Sequence, residues 1–160
     1  MSDIWITSDW HLGHDKNFCY EPRGFKSELE MNEELLYLHN HFVAPDDEVY
    51  VLGDLTVGKA EVGMKYIREM NSRLHIIRGN HDSNKKCEEY LRMPNVIEVV
   101  DAKFLNYGKF HFFLSHYPAL TANYDEKSLK QKMINLCGHA HTPDRFADFN
   151  KGLIYHCEVD

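Results

Sequence analysis

The chain has 160 residues, 43% of them apolar and 27% charged, which is enough for one ordinary domain to bury a core and excludes a disordered tail or a disulfide-stapled mini-protein. A formal charge of -7 argues against a broad cationic surface that tracks a phosphate backbone, so extended nucleic acid is a disfavoured partner. No apolar run nears the roughly 20 residues that span a bilayer, no charged-then-apolar leader precedes Ile4, and Cys19, Cys87, Cys137 and Cys157 form no C-x-x-C pair, so a soluble, cytoplasmic protein with reduced thiols and no membrane contact is expected.

In chain order, Ile4-Trp5-Ile6-Thr7 reads as a short buried strand that runs into Ser8-Asp9. The stretch from Gly13 to Ser27 lacks periodicity, and its length marks it as a candidate active-site loop. Met31, Leu35, Leu38 and Phe42 recur at helical spacing and predict the buried face of a helix. Val49 to Leu52 is a second strand delivering Gly53-Asp54, and Ala60, Met64 and Ile67 paint a second helix. Leu74 to Ile77 leads to Arg78-Gly79-Asn80, with a further helix from about Ser83. Lys109 to Leu114 leads to Ser115-His116, Met133 to Cys137 leads to Gly138-His139, and Leu153 to Val159 is a last strand-like run. Lys127, Lys130 and Lys132 predict a solvated helix face. No repeat or linker interrupts this alternation, so residues 1–160 are expected to form one α/β domain.

The strand ends carry the functional signal, because loops leaving the carboxyl ends of strands line the ligand crevice of open α/β sheets. Five ends present Asp9 and His11, Asp54, Asn80 and His81, His116, and His139 and His141. In Asp9-x-His11 and His139-x-His141, residues two apart share a face of an extended backbone. Two carboxylates, four imidazoles and one amide suffice for two divalent cations if Asp54 is shared, its two carboxylate oxygens bridging them. Such a centre stays cationic and attracts phosphate. Nitrogen and oxygen ligation without thiolate suits manganese, iron, zinc, nickel or cobalt. Each element also has a plainer reading: Asp after Gly as a turn, Asn80-His81-Asp82 as a helix N-cap. Their joint occurrence at successive strand ends favours chemistry. His39, His41, His75, His111 and His156 fall inside helical or strand patterns and read as structural or surface histidines.

Asp9-x-His11, Gly53-Asp54, Gly79-Asn80-His81-Asp82, His116 and Gly138-His139-x-His141 together resemble the signature of the calcineurin-like metallophosphoesterases. The resemblance implies two mixed β-sheets packed as a sandwich with flanking helices, a four-layer fold. It implies one cation held by Asp9, His11, Asp54 and His141, and another by Asp54, Asn80, His116 and His139. The fuller start Ser8-Asp9-Trp10-His11-Leu12-Gly13-His14 with Glu21-Pro22-Arg23 is similar to a small bacterial and phage branch. Protein Ser/Thr phosphatases of the superfamily carry Gly-Asp-x-x-Asp-Arg-Gly, whereas Gly53-Asp54 continues Leu55-Thr56-Val57-Gly58. The Asp missing here supports, in that group, the histidine of the Asn-His pair, so His81 needs another orienter or works without one. Asp82 is its neighbour in sequence but need not face it.

The expected reaction is hydrolysis of a small phosphomonoester or phosphodiester by in-line attack of a hydroxide bridging the two ions. Asp54 and His81 are the catalytic candidates, with His81 stabilising or protonating the leaving oxygen. His14, Arg23 and Asn80 are candidates for substrate contacts, Arg23 through its forked donors. A catalytically silent protein-binding scaffold of the same fold and a nuclease are the competing readings. Retention of all seven ligand positions plus His81 weighs against the first, and the acidic balance weighs against the second.

Overall fold

The structure, a computed structural model, describes residues 2–121, 132–142, 144–145 and 153–160. Strands β1 (Ile4–Thr7), β2 (Glu48–Val51), β3 (Arg73–Ile77) and β4 (Val96–Val100) lie in that order in one sheet, every pairing parallel. Between β1 and β2 run α1 (Asn17–Tyr20) and α2 (Glu28–Phe42); α3 (Ala60–Glu69) and α4 (Asn84–Leu91) make the later crossovers. Sequential parallel strands joined by right-handed crossovers place these helices on one face of the sheet.

Alternation along the strands makes two cores. Val49, Val51, Leu74 and Ile76 face the helices and pack with Leu12, Leu55, Met64, Ile67 and Tyr90. Tyr50, Leu52 and Ile77 point the other way and pack against Leu114, with Leu105, Phe112 and Leu136 beside them. Those partners belong to a second sheet ordered β5 (Ala102–Tyr107), β6 (Phe110–Ser115), β7 (Met133–Cys137), β8 (Ile154–His156). Here β5 runs antiparallel to β6, and β6, β7 and β8 are mutually parallel. The expected sandwich is therefore present, with the second sheet mixed and the first wholly parallel. Each fully buried aliphatic side chain in these cores contributes about 1.5–3 kcal/mol.

Three details differ from the sequence reading. On α2, Met31 is buried as expected, but Leu38 and Phe42 are 39% and 61% exposed. The buried stripe instead runs through Met31, Asn32, Leu35 and Leu36, with His39 below them bonded through Nε2 to the Ser72 hydroxyl at 2.8 Å. Polar groups with local partners displaced the apolar ones from the sheet side. Strands β4 and β5 are additional to the sequence reading: β4 is followed by a lone Asp101 and β5 by no ligating residue, so neither carries a paired motif. The loop from Gly13 to Ser27 contains the single turn α1. All described helices lie on the first sheet's side, and Lys127 and Lys130 lie outside the described residues. No described helix is long and apolar enough to cross a membrane.

Candidate metal centre

The two sheets meet at isolated bridges beyond the strand ends, Ser8 pairing with Glu158, while Leu12 pairs with Thr56 across the first sheet's own tips. The first sheet presents Asp9, His11, Asp54 and Asn80 at this seam, and the second presents His116, His139 and His141. Among the described residues, the non-glycine residues with left-handed backbones are Asp9 (φ 57°), His11 (φ 53°), Asp54 (φ 54°), His139 (φ 75°) and His141 (φ 47°). That conformation disfavours residues with a Cβ. Five of the seven candidate ligands adopt it, which turns their side chains off the strand direction and into the seam. At Gly53, φ is +97° and a Cβ would stand 2.5 Å from His116 Nδ1, so only glycine lets the two tips approach.

Hydrogen bonds fix which atoms look inward. Asp9 Oδ2 accepts from the Ser8 hydroxyl (2.5 Å) and from the His139 N–H (3.0 Å). Its Oδ1 is left facing His11 Nε2 at 3.6 Å and His141 Nε2 at 3.3 Å. Asp54 Oδ1 accepts from the His81 N–H at 2.8 Å, and Oδ2 faces His11 Nε2 at 3.7 Å and His116 Nε2 at 3.5 Å. A shared Asp54 thus faces both histidine groups through one oxygen, not through the two the sequence reading assigned to it. His116 Nδ1 donates to the Leu52 carbonyl (2.8 Å), which leaves Nε2 pointing inward, 2.8 Å from Asn80 Oδ1. His139 Nδ1 reaches the same amide oxygen at 2.9 Å.

These carboxylate oxygens, ring nitrogens and the Asn80 amide oxygen converge on one small volume. Asp9 Oδ1 and His11 Nε2 are buried and, among the described residues, make no hydrogen bond, standing 3.6 Å apart; a buried polar atom left without a hydrogen bond costs about 1–3 kcal/mol, which a cation between them would offset. Ligand atoms of Asp9, His11 and His141 lie within 4.8 Å of one another, as do those of Asp9, Asp54 and His116. The donor set fits divalent transition metals.

The electrostatics agree. Burial disfavours the charged form of His11, yet Asp54 and Asp9 outweigh it and raise its pKa to about 10. The hydrogen bond to Asp160, then Asp9, raises His141 to about 9. Burial alone would raise the Asp9 carboxyl, but His11, His141 and Ser8 drive it far below the usual carboxylate range. Without a metal the carboxylates favour protons on these rings; a cation bound there would compete with those protons for the same nitrogens.

A cavity of about 700 Å³ opens over the cluster, lined in part by His14, Phe18, Pro22, Val57 and His81. The His81 side chain is 47% exposed, with Nε2 3.9 Å from Asp54 Oδ2. Asp82 does not orient it: the Asp82 oxygens accept from the Asp54 N–H (2.8 Å), the Gly79 N–H (3.0 Å) and the Tyr90 hydroxyl (3.1 Å). Nor is Asp82 a helix cap, since Ser83 caps α4. His14 lines the cavity, its ring edge-on to Phe18 at 5.3 Å and its Nδ1 buried without a hydrogen-bond partner among the described residues. Chiefly through burial, its pKa is lowered. Tyr117 packs edge-on against the rings of His116 and His139.

The Arg23 guanidinium borders the cavity and donates to the Asp9 and Trp10 carbonyls and to the Asp160 carboxylate. Sequence reasoning missed Ser8, Cys19, Glu158 and Asp160. Ser8 adjoins a motif residue and was open to reading. Glu158, whose carboxylate accepts the N–H groups of Ala140 and His141, and Asp160 left no local signal. Cys19 is buried in the cavity wall beside His11 and His14.

The pattern of the calcineurin-like phosphoesterase superfamily domain matches residues 3–155. Over 129 residues the chain is 33% identical to the uncharacterized protein MJ1445 of Methanocaldococcus jannaschii, a match covering 78% of this chain and 65% of that one. The chain therefore spans a little under two thirds of that relative's length. Among solved structures it is similar to AQ665 of Aquifex aeolicus, a protein of unknown function, with a TM-score of 0.74 at 20% identity over 99% of this chain and 91% of that one. It is also similar to YfcE, a phosphoesterase from E. coli, with a TM-score of 0.54 at 20% identity over 97% and 77% of the two chains. Both likenesses are of fold.

Proposed function

The chain belongs to the calcineurin-like phosphoesterase superfamily, and on that footing we propose that residues 1–160 act as one catalytic domain that hydrolyses small phosphomonoesters or phosphodiesters with two divalent cations. Asp9, His11, Asp54 and His141 would hold one cation; Asp54, Asn80, His116 and His139 would hold the other. The observation that carries this reading is the convergence of ligand atoms from Asp9, His11 and His141 and from Asp9, Asp54 and His116, each set within 4.8 Å, beside an open cavity. Manganese, iron, zinc, nickel or cobalt would suit these donors. When bound, such ions lower the pKa of water from about 16 toward neutrality and offset phosphate charge.

The chain's own residues do the rest. Asp54 keeps the two histidine groups in register through Oδ2. His81 reaches into the cavity from the loop before α4, where an imidazole can give a proton to the leaving oxygen. The wall of Phe18, Pro22 and Val57 takes the remainder of the substrate, since the cavity exceeds what a phosphate group fills. The four cysteines are free thiols, in keeping with work in a reducing cytoplasm.

The test is a panel of nucleotides, cyclic nucleotides and aryl phosphates assayed across these metals. Asp54→Asn and His116→Ala are expected to lose metal and roughly 10³-fold or more in turnover, about 4 kcal/mol. His81→Asn is expected to keep its metal and lose about 10²-fold in kcat. Full activity in rigorously metal-free buffer overturns the reading.

A further inference from the structure

We propose that Arg23 and Asp160 form a positioning pair that sets the His141 ring and ties it to the Asp9 turn across the seam between the sheets. The inference rests on the two-cation reading above and assigns roles to two residues that would touch neither metal nor phosphate.

An imidazole ligand has two nitrogens, and the partner of the outer one decides how the inner one is aimed. For His141 that partner is the Asp160 carboxylate, which accepts from Nδ1 through Oδ2. Nε2 is then turned to within 3.3 Å of Asp9 Oδ1. The other Asp160 oxygen accepts from Arg23 Nε at 2.5 Å. The same guanidinium donates from Nη2 to the Asp9 carbonyl at 2.9 Å and from Nη1 to the Trp10 carbonyl at 3.0 Å. One rigid fork therefore spans both ligands of the Asp9–His141 pair: the backbone of one, and the support of the other.

The chain around the pair shows why a brace is needed. Asp9 and His141 sit on different sheets and both have left-handed backbones. Among the described residues, the backbone pairing between the sheets at this level is the single bridge between Ser8 and Glu158. Arg145 secures the same run from the far side, donating to the Glu158 and Asp160 carbonyls at 2.9 and 2.8 Å. The Arg23 side chain is only 6% exposed, so its charge is turned inward onto Asp160. A lysine at this position is a point charge that cannot hold three acceptors in fixed geometry.

The experiment uses the full chain, titrated with Mn²⁺ by calorimetry and with Co²⁺ by its visible spectrum, for wild type, Asp160→Ala, Asp160→Asn, Arg23→Lys and Arg23→Gln. The expected result is that Asp160→Ala and Arg23→Gln weaken one of the two cations about 10–100-fold, leave the other at wild-type affinity, and alter the cobalt absorption. Arg23→Lys is expected to follow Arg23→Gln. The double variant Asp160→Ala/Arg23→Gln is expected to be no weaker than the worse single, because the two residues act as one unit. Asp160→Asn, which keeps an oxygen for His141 Nδ1, guards against misfolding and is expected to fall between. Wild-type affinity at both sites with an unchanged cobalt spectrum in the folded variants overturns the pairing alone, as does equal weakening of both cations. A wild-type chain that binds neither cation overturns the two-cation reading along with it.

Discussion

The Tyr90 hydroxyl donates to the Asp82 carboxylate at 3.1 Å behind the candidate centre, and in turn lies 2.8 Å from the Thr56 hydroxyl. Through this pair α4 supports the turn that carries Asn80 and His81, because the other Asp82 oxygen holds the N–H groups of Asp54 and Gly79. Burial pushes the Asp82 carboxyl above its ordinary range. Asp82→Asn is therefore expected to be tolerated, within about 1 kcal/mol, since an amide can accept from both N–H groups and donate to Tyr90. Asp82→Leu orphans two buried donors at about 1–3 kcal/mol each. Urea denaturation of both variants checks the contrast, and equal stabilities would contradict it.

Metal should stabilise the fold as well as serve chemistry. A cation bound only by the native state adds about 2.7 kcal/mol at one hundred times its Kd. Differential scanning calorimetry is expected to show Tm rising with Mn²⁺ and falling on chelation. In Asp9→Asn, where the inward oxygen Oδ1 loses its charge, this response should largely vanish. An undiminished rise in Tm would remove Asp9 from the ligand set.

His39 gives a pH dependence of defined sign. Burial lowers its pKa to about 4 in the folded chain, against about 6.5 when unfolded. Between those values the unfolded state binds more protons, so the contribution of His39 to stability is complete above about pH 6.5 and is lost as pH falls toward 4, by up to about 1.4 kcal/mol per pH unit. His39→Gln is expected to flatten the stability profile in this window relative to wild type, measured by chemical denaturation from pH 4 to 7. Parallel profiles would show that His39 does not titrate as described.

The loop after β7 leaves no room for a methyl group. A Cβ on Gly138 would stand 2.0 Å from Ser8 Oγ and 2.3 Å from Asp9 Oδ2. Gly138→Ala should push β1 and β7 apart at the seam, costing about 1–3 kcal/mol and most of the metal affinity. Calorimetric titration with Mn²⁺ alongside thermal melting would detect both losses.

The placement of ligand candidates was legible because chemistry-bearing residues stand immediately after apolar, β-branched runs, as at Thr7-Ser8-Asp9 and Leu52-Gly53-Asp54. Strands β4 and β5 were not: Val96–Val100 runs into a lone Asp101 with no histidine or asparagine beside it, and Ala102–Tyr107 alternates with exposed residues and carries no ligand at its end. The face of α2 was misread because hydropathy gave no weight to Asn32, whose amide oxygen accepts from the Gly13 N–H, or to His39 with Ser72. The bond from Arg23 to Asp160 joins residues 137 positions apart, a pairing that no local pattern encodes. Asp and His are over-represented among non-glycine residues with left-handed φ, but most of them adopt ordinary backbones, so their presence alone does not mark which positions turn.

Those left-handed backbones carry an evolutionary consequence. Each non-glycine residue held in that region sacrifices about 1–2 kcal/mol, and five of them crowd into one seam. Glycine at His139 or His141 would relieve that penalty while deleting an imidazole, so the stability of the turn and the proposed ligand set pull in opposite directions at the same codons.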